Sequence, residues 1–181
     1  MKNRYLLIAG GVDRKGIVYG LTGWIKELGF NIEDSSMIML RKTFSMIMIL
    51  SRTKPVKGVD FSGKASVFKK KTGMVIEFIK IKEQDAAEPE ESGNSVIVSI
   101  NGADKPGIVN TITGILFKAG ANITDLETKS TEKVKPHVYY LFIEAALPAG
   151  YKVSKLEADL KKAAKKLGVH VTVNRAETAV L

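Results

Sequence analysis

The 181-residue sequence predicts an α+β protein made of two ferredoxin-like βαββαβ domains, each a four-stranded antiparallel sheet with two helices on one face. Three observations carry this: an internal repeat, an acidic break between the copies, and a hydrophobic period that switches between extended and helical within each copy. Shifting the chain by 91 positions superimposes Gly11 on Gly102, Asp13 on Asp104, Gly16 on Gly107, Ile17 on Ile108 and Val18 on Val109. Thr22, Gly23, Gly29, Asn31, Ile32 and Asp34 then fall on Thr113, Gly114, Gly120, Asn122, Ile123 and Asp125, giving eleven identities in 24 ungapped positions.

Between the copies lies KEQDAAEPEESGNS, an acidic segment with Pro89 and Gly93 and no apolar periodicity, which is linker composition. The boundaries are therefore placed at 1–82 for the first domain, 83–94 for the linker, 95–175 for the second domain and 176–181 for a tail.

Each copy opens with a short run rich in branched residues, RYLLIAG and NSVIVSIN, which reads as a buried strand. After an Asp-x-x-Gly turn, apolar residues recur every three or four positions: Ile17, Val18, Leu21, Trp24, Ile25 and Leu28, and Ile108, Val109, Ile112, Ile115, Leu116 and Ala119. That spacing predicts a helix with one buried stripe. Gly29 and Gly120 stand where a left-handed residue closes it.

NIEDSSMIML and FSMIMILSRT, and NITDLETKST and HVYYLFIEAAL, then read as hairpins. Their apolar residues are so dense that both faces are expected to be buried, the open face or edge against another copy. A second helix follows, short in GKASVFKKKTG and longer in SKLEADLKKAAKKLG, where Ser154 is a candidate cap. MVIEFIKI and VHVTV close the two copies as strands. Thr22, Thr113, Gly23 and Gly114 fall in mid-helix, where close helix packing is their expected role.

Composition removes several function classes. The absence of cysteine excludes disulfides, thiolate nucleophiles and thiolate metal sites. Two histidines, His137 and His170, are too few and in too ordinary strand positions for a histidine metal site or a catalytic triad. No cofactor or metal is expected. No apolar run approaches the roughly 20 residues of a membrane span, and the N-terminal run is too short for a signal peptide, so a cytoplasmic protein without membrane contact is expected.

The net charge of +9 is divided almost evenly between the halves. Lys69, Lys70 and Lys71 and the lysines of 161–166 read as solvated helix faces; direct nucleic-acid binding through them is the lesser reading, its mark a steep salt dependence. The turn in AGGVDRKG lacks the glycine and lysine spacing of a nucleotide loop, and no nucleophile with a base is visible, so an enzyme is not expected.

The duplicated D-x-x-G-I-V…G…N-I-x-D pattern on units of about 80 residues resembles the ACT family of small-molecule-binding regulatory domains. As a pair of such units without an enzyme, the chain is similar to the glycine cleavage system transcriptional repressor group. The resemblance implies a regulatory protein. Its ligand, an amino acid or similar effector, sits at the junction of two units joined edge to edge, and it signals to a partner regulator or enzyme, with transcriptional control of amino-acid metabolism as one outcome. It also implies a homo-oligomer and places ligand contacts at Asp13, Arg14, Lys15 and Gly16 with Asn31 and Ile32, and at Asp104, Lys105 and Gly107 with Asn122 and Ile123.

The chemistry of those residues fits a zwitterion. Glycine lets the backbone approach at a helix start, where free N–H groups favour a carboxylate; Asp pairs with an ammonium group; Asn both donates and accepts. Asp13 and Asp104 have an alternative role in bonding nearby turn amides, and Asn31 and Asn122 in tolerating the backbone after a helix-ending glycine. Pro106 stiffens the second turn, and the second unit is the favoured binder. A structural subunit of a metabolic enzyme is the competing reading.

Overall fold

The computed structural model describes residues 3–53, 61–82, 94–131 and 138–176. The elements are β1 (Asn3–Val12), α1 (Ile17–Glu27), β2 (Asn31–Leu40), β3 (Thr43–Arg52), α2 (Phe61–Thr72) and β4 (Val75–Ile81). The second half repeats them as β5 (Ser95–Gly102), α3 (Ile108–Lys118), β6 (Asn122–Ser130), β7 (Tyr139–Ala146), α4 (Val153–Leu167) and β8 (Val169–Arg175). The strand orders are β2-β3-β1-β4 and β6-β7-β5-β8, with every neighbouring pair antiparallel. This is the predicted ferredoxin-like arrangement, twice. The two compact units divide between Pro89 and Glu90, inside the acidic segment; residues 83–93 of that segment, 132–137 with His137, and 177–181 of the tail lie outside the described residues.

Strand pleating sorts the side chains by face. Leu7 lies opposite Met48, and Ala9 opposite Met46; all are buried against the helices, where Leu21 and Ile25 of α1 meet them. In the second unit Val96, Val98 and Ile100 of β5 and Leu141 and Ile143 of β7 do the same against Ile112, Leu116, Leu156 and Leu160. Each fully buried Leu or Ile contributes about 1.5–3 kcal/mol relative to exposure. The expectation that the hairpin strands are buried on both faces is not met in the units themselves: the face away from the helices is open, with Ile47 about half exposed.

The helices start and stop by glycine geometry. Gly16 (φ 82°) and Gly107 (φ 89°) are left-handed N-caps without a side-chain capping bond. At the other end of α1, Gly29 (φ 75°) donates to Lys26 at 2.9 Å and Phe30 to Ile25 at 3.2 Å. Gly120 (φ 71°) and Ala121 repeat this after α3. Two details correct the sequence reading. Ser154 is not the cap of α4, which is preceded by Lys152 at the N-cap with no side-chain bond and closes at Gly168 (φ 68°). Among the described residues, a Cβ added at Gly23 or Gly114 would meet nothing within 4 Å, so these glycines do not mark close helix packing.

Candidate functional site

The Asp-x-x-Gly turns follow β1 and β5 and lead into α1 and α3. In the first unit the Asp13 amide donates to the Lys42 carbonyl at 2.8 Å, which ties the turn to the β2–β3 hairpin. Asp13 and Asp104 are exposed, and among the described residues neither carboxylate has a hydrogen-bond or ion-pair partner. The alternative of a carboxylate spent on its own turn is therefore not the geometry found. Gly16 and Gly107 leave the first-turn amides of their helices without a side-chain cap, a setting that attracts an anionic group.

Arg14 and Lys105 occupy equivalent positions and have equivalent partners. The Arg14 guanidinium donates to the Thr72 carbonyl at the end of α2, and the Lys105 ammonium to the Leu167 carbonyl at the end of α4, at 2.8 Å in the latter case. A cation at a helix C-terminus satisfies an orphan carbonyl and opposes the helix dipole. Both residues thus fasten the turn to the second helix. Lys15 is exposed.

Asn31 and Asn122 are exposed at the starts of β2 and β6, with Ile32 and Ile123 half-buried behind them. Both strands then bulge, between Ile32 and Asp34 and between Ile123 and Asp125. A bulge re-aims the strand and is a recurrent device beside binding sites; a single sequence carries no signal for it. The bulged Glu33 accepts a 2.7 Å bond from Arg4 in the first unit, where the second unit has Thr124 and Ser95.

Within one unit, the turn and the asparagine are far apart. Val12 lies opposite Thr43, which lies opposite Leu40, whereas Asn31 lies opposite Ser51 at the other end of β3. Nine residues of strand separate the two ends, roughly 30 Å. In the second unit Gly102 and Asn122 are likewise at opposite ends, opposite Tyr139 and Ala146 of β7. Each unit therefore carries its two groups of candidate residues at opposite ends of its sheet. Because β2 and β6 are edge strands, antiparallel edge-to-edge pairing would bring the asparagine end of one unit to the turn end of its neighbour.

The turn end of the second unit has a polar neighbour that the first unit lacks. Tyr139 lies opposite Gly102, and the equivalent position opposite Gly11 is Phe44. Burial and the nearby Asp104 carboxylate raise the Tyr139 hydroxyl above its ordinary value of 10.0, while a hydrogen bond with the Thr128 side chain works in the opposite direction. Met37 of β2 stands where β6 has Thr128. Tyr139 and Thr128 were missed in the sequence because the placement of Tyr139 near Asp104 and against Thr128 depends on strand register.

The helix-side surface holds a separate concavity. An open cleft of about 1410 Å³ runs between α1 and α2, lined by residues including Tyr19, Gly20, Trp24, Phe68 and Lys71, and its counterpart beside α3 and α4 is about 650 Å³. Trp24 stacks on Phe68 at 4.6 Å in the first. Neither cleft includes Asp13, Asn31, Asp104 or Asn122. The predicted residues are placed at sheet ends and an edge, outside both of these clefts. Among the described residues no cluster of His, Asp and Glu could hold a metal ion, and no helix is long and apolar enough to cross a membrane.

The profile of the ACT domain family matches residues 4–57 of the first unit and 94–174 of the second. The chain belongs to the ACT domain family. A relative from Escherichia coli, named a glycine cleavage system transcriptional repressor, is 27% identical over 94% of this chain and 89% of its own length. A UPF0237 protein of Methanopyrus kandleri is 33% identical across 45% of this ACT chain and 87% of its own. Among solved structures, a protein of Galdieria sulphuraria described as unknown aligns with a TM-score of 0.77 at 21% identity over 98% of this chain and all of its own. A structure described as a putative glycine cleavage system transcriptional repressor aligns at 0.68 and 18% over 98% and 99%. These two structures share the tandem ACT fold.

Proposed function

We propose that this tandem ACT protein is a non-enzymatic sensor that binds an amino acid where the edges of two ACT units meet, and signals the bound state to a partner protein. The observation that carries the reading is the duplicated pair of half-sites: an exposed Asp, without a hydrogen-bond or ion-pair partner among the described residues, beside uncapped helix amides at one end of each sheet, and an exposed Asn at the other. Edge pairing assembles an anion-favouring helix start, a carboxylate and an amide around a ligand with both charges. Binding then favours the paired arrangement by the ligand's differential affinity for it.

The second unit is the binder in this reading. The Asp104 carboxylate acts on the nearby Tyr139 hydroxyl, which is hydrogen-bonded with the Thr128 side chain, and Ser95 and Thr124 stand where the first unit has Arg4 and Glu33. In contrast, the first-unit positions equivalent to Tyr139 and Thr128 are the apolar Phe44 and Met37. Arg14 and Lys105 act as positioning residues, since both are engaged with helix-end carbonyls.

The named relative supports a role in transcriptional control of amino-acid metabolism. Among the described residues every helix is joined to strands in a ferredoxin-like unit, so regulation would pass through another protein and not through a recognition helix. Calorimetric titration of the whole protein with each of the twenty amino acids tests the proposal. One or a few amino acids should bind, and Asp104→Ala or Asn122→Ala should weaken that binding at least about tenfold while Asp13→Ala has less effect. No heat or melting shift with any amino acid removes the amino-acid sensor.

A further inference from the structure

The open faces of the two sheets differ in chemistry. Across the first, Ile8 of β1 stands between Ile47 of β3 and Glu77 of β4, and the next row places Leu6 between Ile49 and Ile79. The corresponding rows of the second unit place Ser99 between Phe142 and Thr172, and Ile97 between Glu144 and Asn174. Toward the edge strand, Ile38 faces out where the second unit has Lys129. One sheet face is aliphatic and the other is mixed and charged.

The aliphatic face is open. Seven of its Val, Ile and Leu residues have exposures from 37% for Ile8 to 70% for Val12. With about 170–200 Å² for each such residue fully exposed, they present roughly 700 Å² of surface, more than an ordinary monomer leaves in one patch. That is close to the roughly 800 Å² each partner contributes to a standard stable interface. The central strands β1 and β3 supply Leu6, Ile8, Ile47 and Ile49, and the acidic residues on this face, Asp34 and Glu77, sit on the edge strands. An apolar centre with a polar rim is the anatomy of an interface.

We propose that this face joins two copies of the chain, first unit against first unit, about a two-fold axis. An aliphatic patch is complementary to itself, so an isologous contact buries it on both sides at once, as two sheets stacked about 10 Å apart. The second unit's face is a poor occupant: covering the isoleucines with it would take Glu144, Lys129 and Asn174 out of water against side chains that offer no hydrogen bond. The contact leaves the edges of β2 and β6 free, so it stands independently of the ligand reading, and a flat amino-acid titration does not bear on it.

Analytical ultracentrifugation of the full chain at micromolar concentration should show a dimer. Ile8→Glu and Ile47→Glu, which place a charge on an already exposed position and leave far-UV dichroism unchanged, should each raise the dissociation constant at least about 100-fold. Phe142→Glu on the second face should leave the dimer intact. The chain has no cysteine, so Ile47→Cys supplies a second test: mild oxidation should yield a covalent dimer, and Phe142→Cys should not. A wild-type monomer at 100-fold higher concentration, a dimer that survives both glutamate substitutions, or equal cross-linking at 47 and 142 would overturn the proposal.

Discussion

Two glycines of α3 allow the same chemical change to be made twice with opposite results. Gly107 precedes the helix at φ 89°, and Gly114 lies in the helix seven residues later with no positive φ. Among the described residues, a Cβ added at either position meets nothing within 4 Å, so packing drops out of the comparison and only backbone conformation remains. Gly107→Ala forces an L-residue into the left-handed region at about 1–2 kcal/mol. Gly114→Ala removes the conformational freedom of glycine from a helix interior and stabilises by roughly 0.5–1 kcal/mol. For a unit of this size, 1 kcal/mol moves the melting temperature by about 4–8 °C. The melting transition of the second unit in the intact chain, followed by calorimetry, should therefore fall for Gly107→Ala and rise for Gly114→Ala. The gap between the two variants should be on the order of 10 °C. A neutral or stabilising Gly107→Ala would show that the turn does not impose the left-handed conformation on which the uncapped helix start depends.

Three further outcomes follow from particular contacts. Tyr139 has a raised pKa in the folded protein, so above pH 10 the unfolded chain loses this proton before the folded one does, and the group makes stability fall as pH rises further; Tyr139→Phe should flatten that alkaline slope in denaturant titrations at pH 9 to 11, and an unchanged slope would count against the burial argument. Lys105→Met removes the cation from the Leu167 carbonyl and should cost about 0.5–1 kcal/mol in chemical denaturation, with the loss confined to the second unit's transition. Leu116, fully buried in the second core, should cost about 2–5 kcal/mol as Leu116→Ala, and a loss below 1 kcal/mol would contradict the packing described.

Much of the architecture was legible because local rules and the repeat agreed. The three-and-four spacing of Ile108, Ile112 and Leu116 placed them in the core, and Gly29 and Gly120 ended their helices where left-handed closure was expected. The repeat then paired turn with turn. Where the reading failed, non-local geometry was the cause. Density of apolar residues in FSMIMILSRT suggested burial on both sides, yet period-two pleating sends Met46 and Met48 into the core and leaves Ile47 on the open face.

The sequence by itself determined two ferredoxin-like ACT units, their acidic break and the identities of the residues at their turns, since these depend on backbone propensity and hydrophobic period over short stretches. Only the tertiary structure decided what those residues do to one another. Strand register put Tyr139 near Asp104 and within hydrogen-bond reach of Thr128, and set Asp13 and Asn31 at opposite ends of a sheet. Helix docking gave Arg14 and Lys105 the terminal carbonyls of α2 and α4. The physical reason is that pairing between strands distant in the chain is fixed by long-range packing, and no residue carries a label for the partner that the sheet will place beside it.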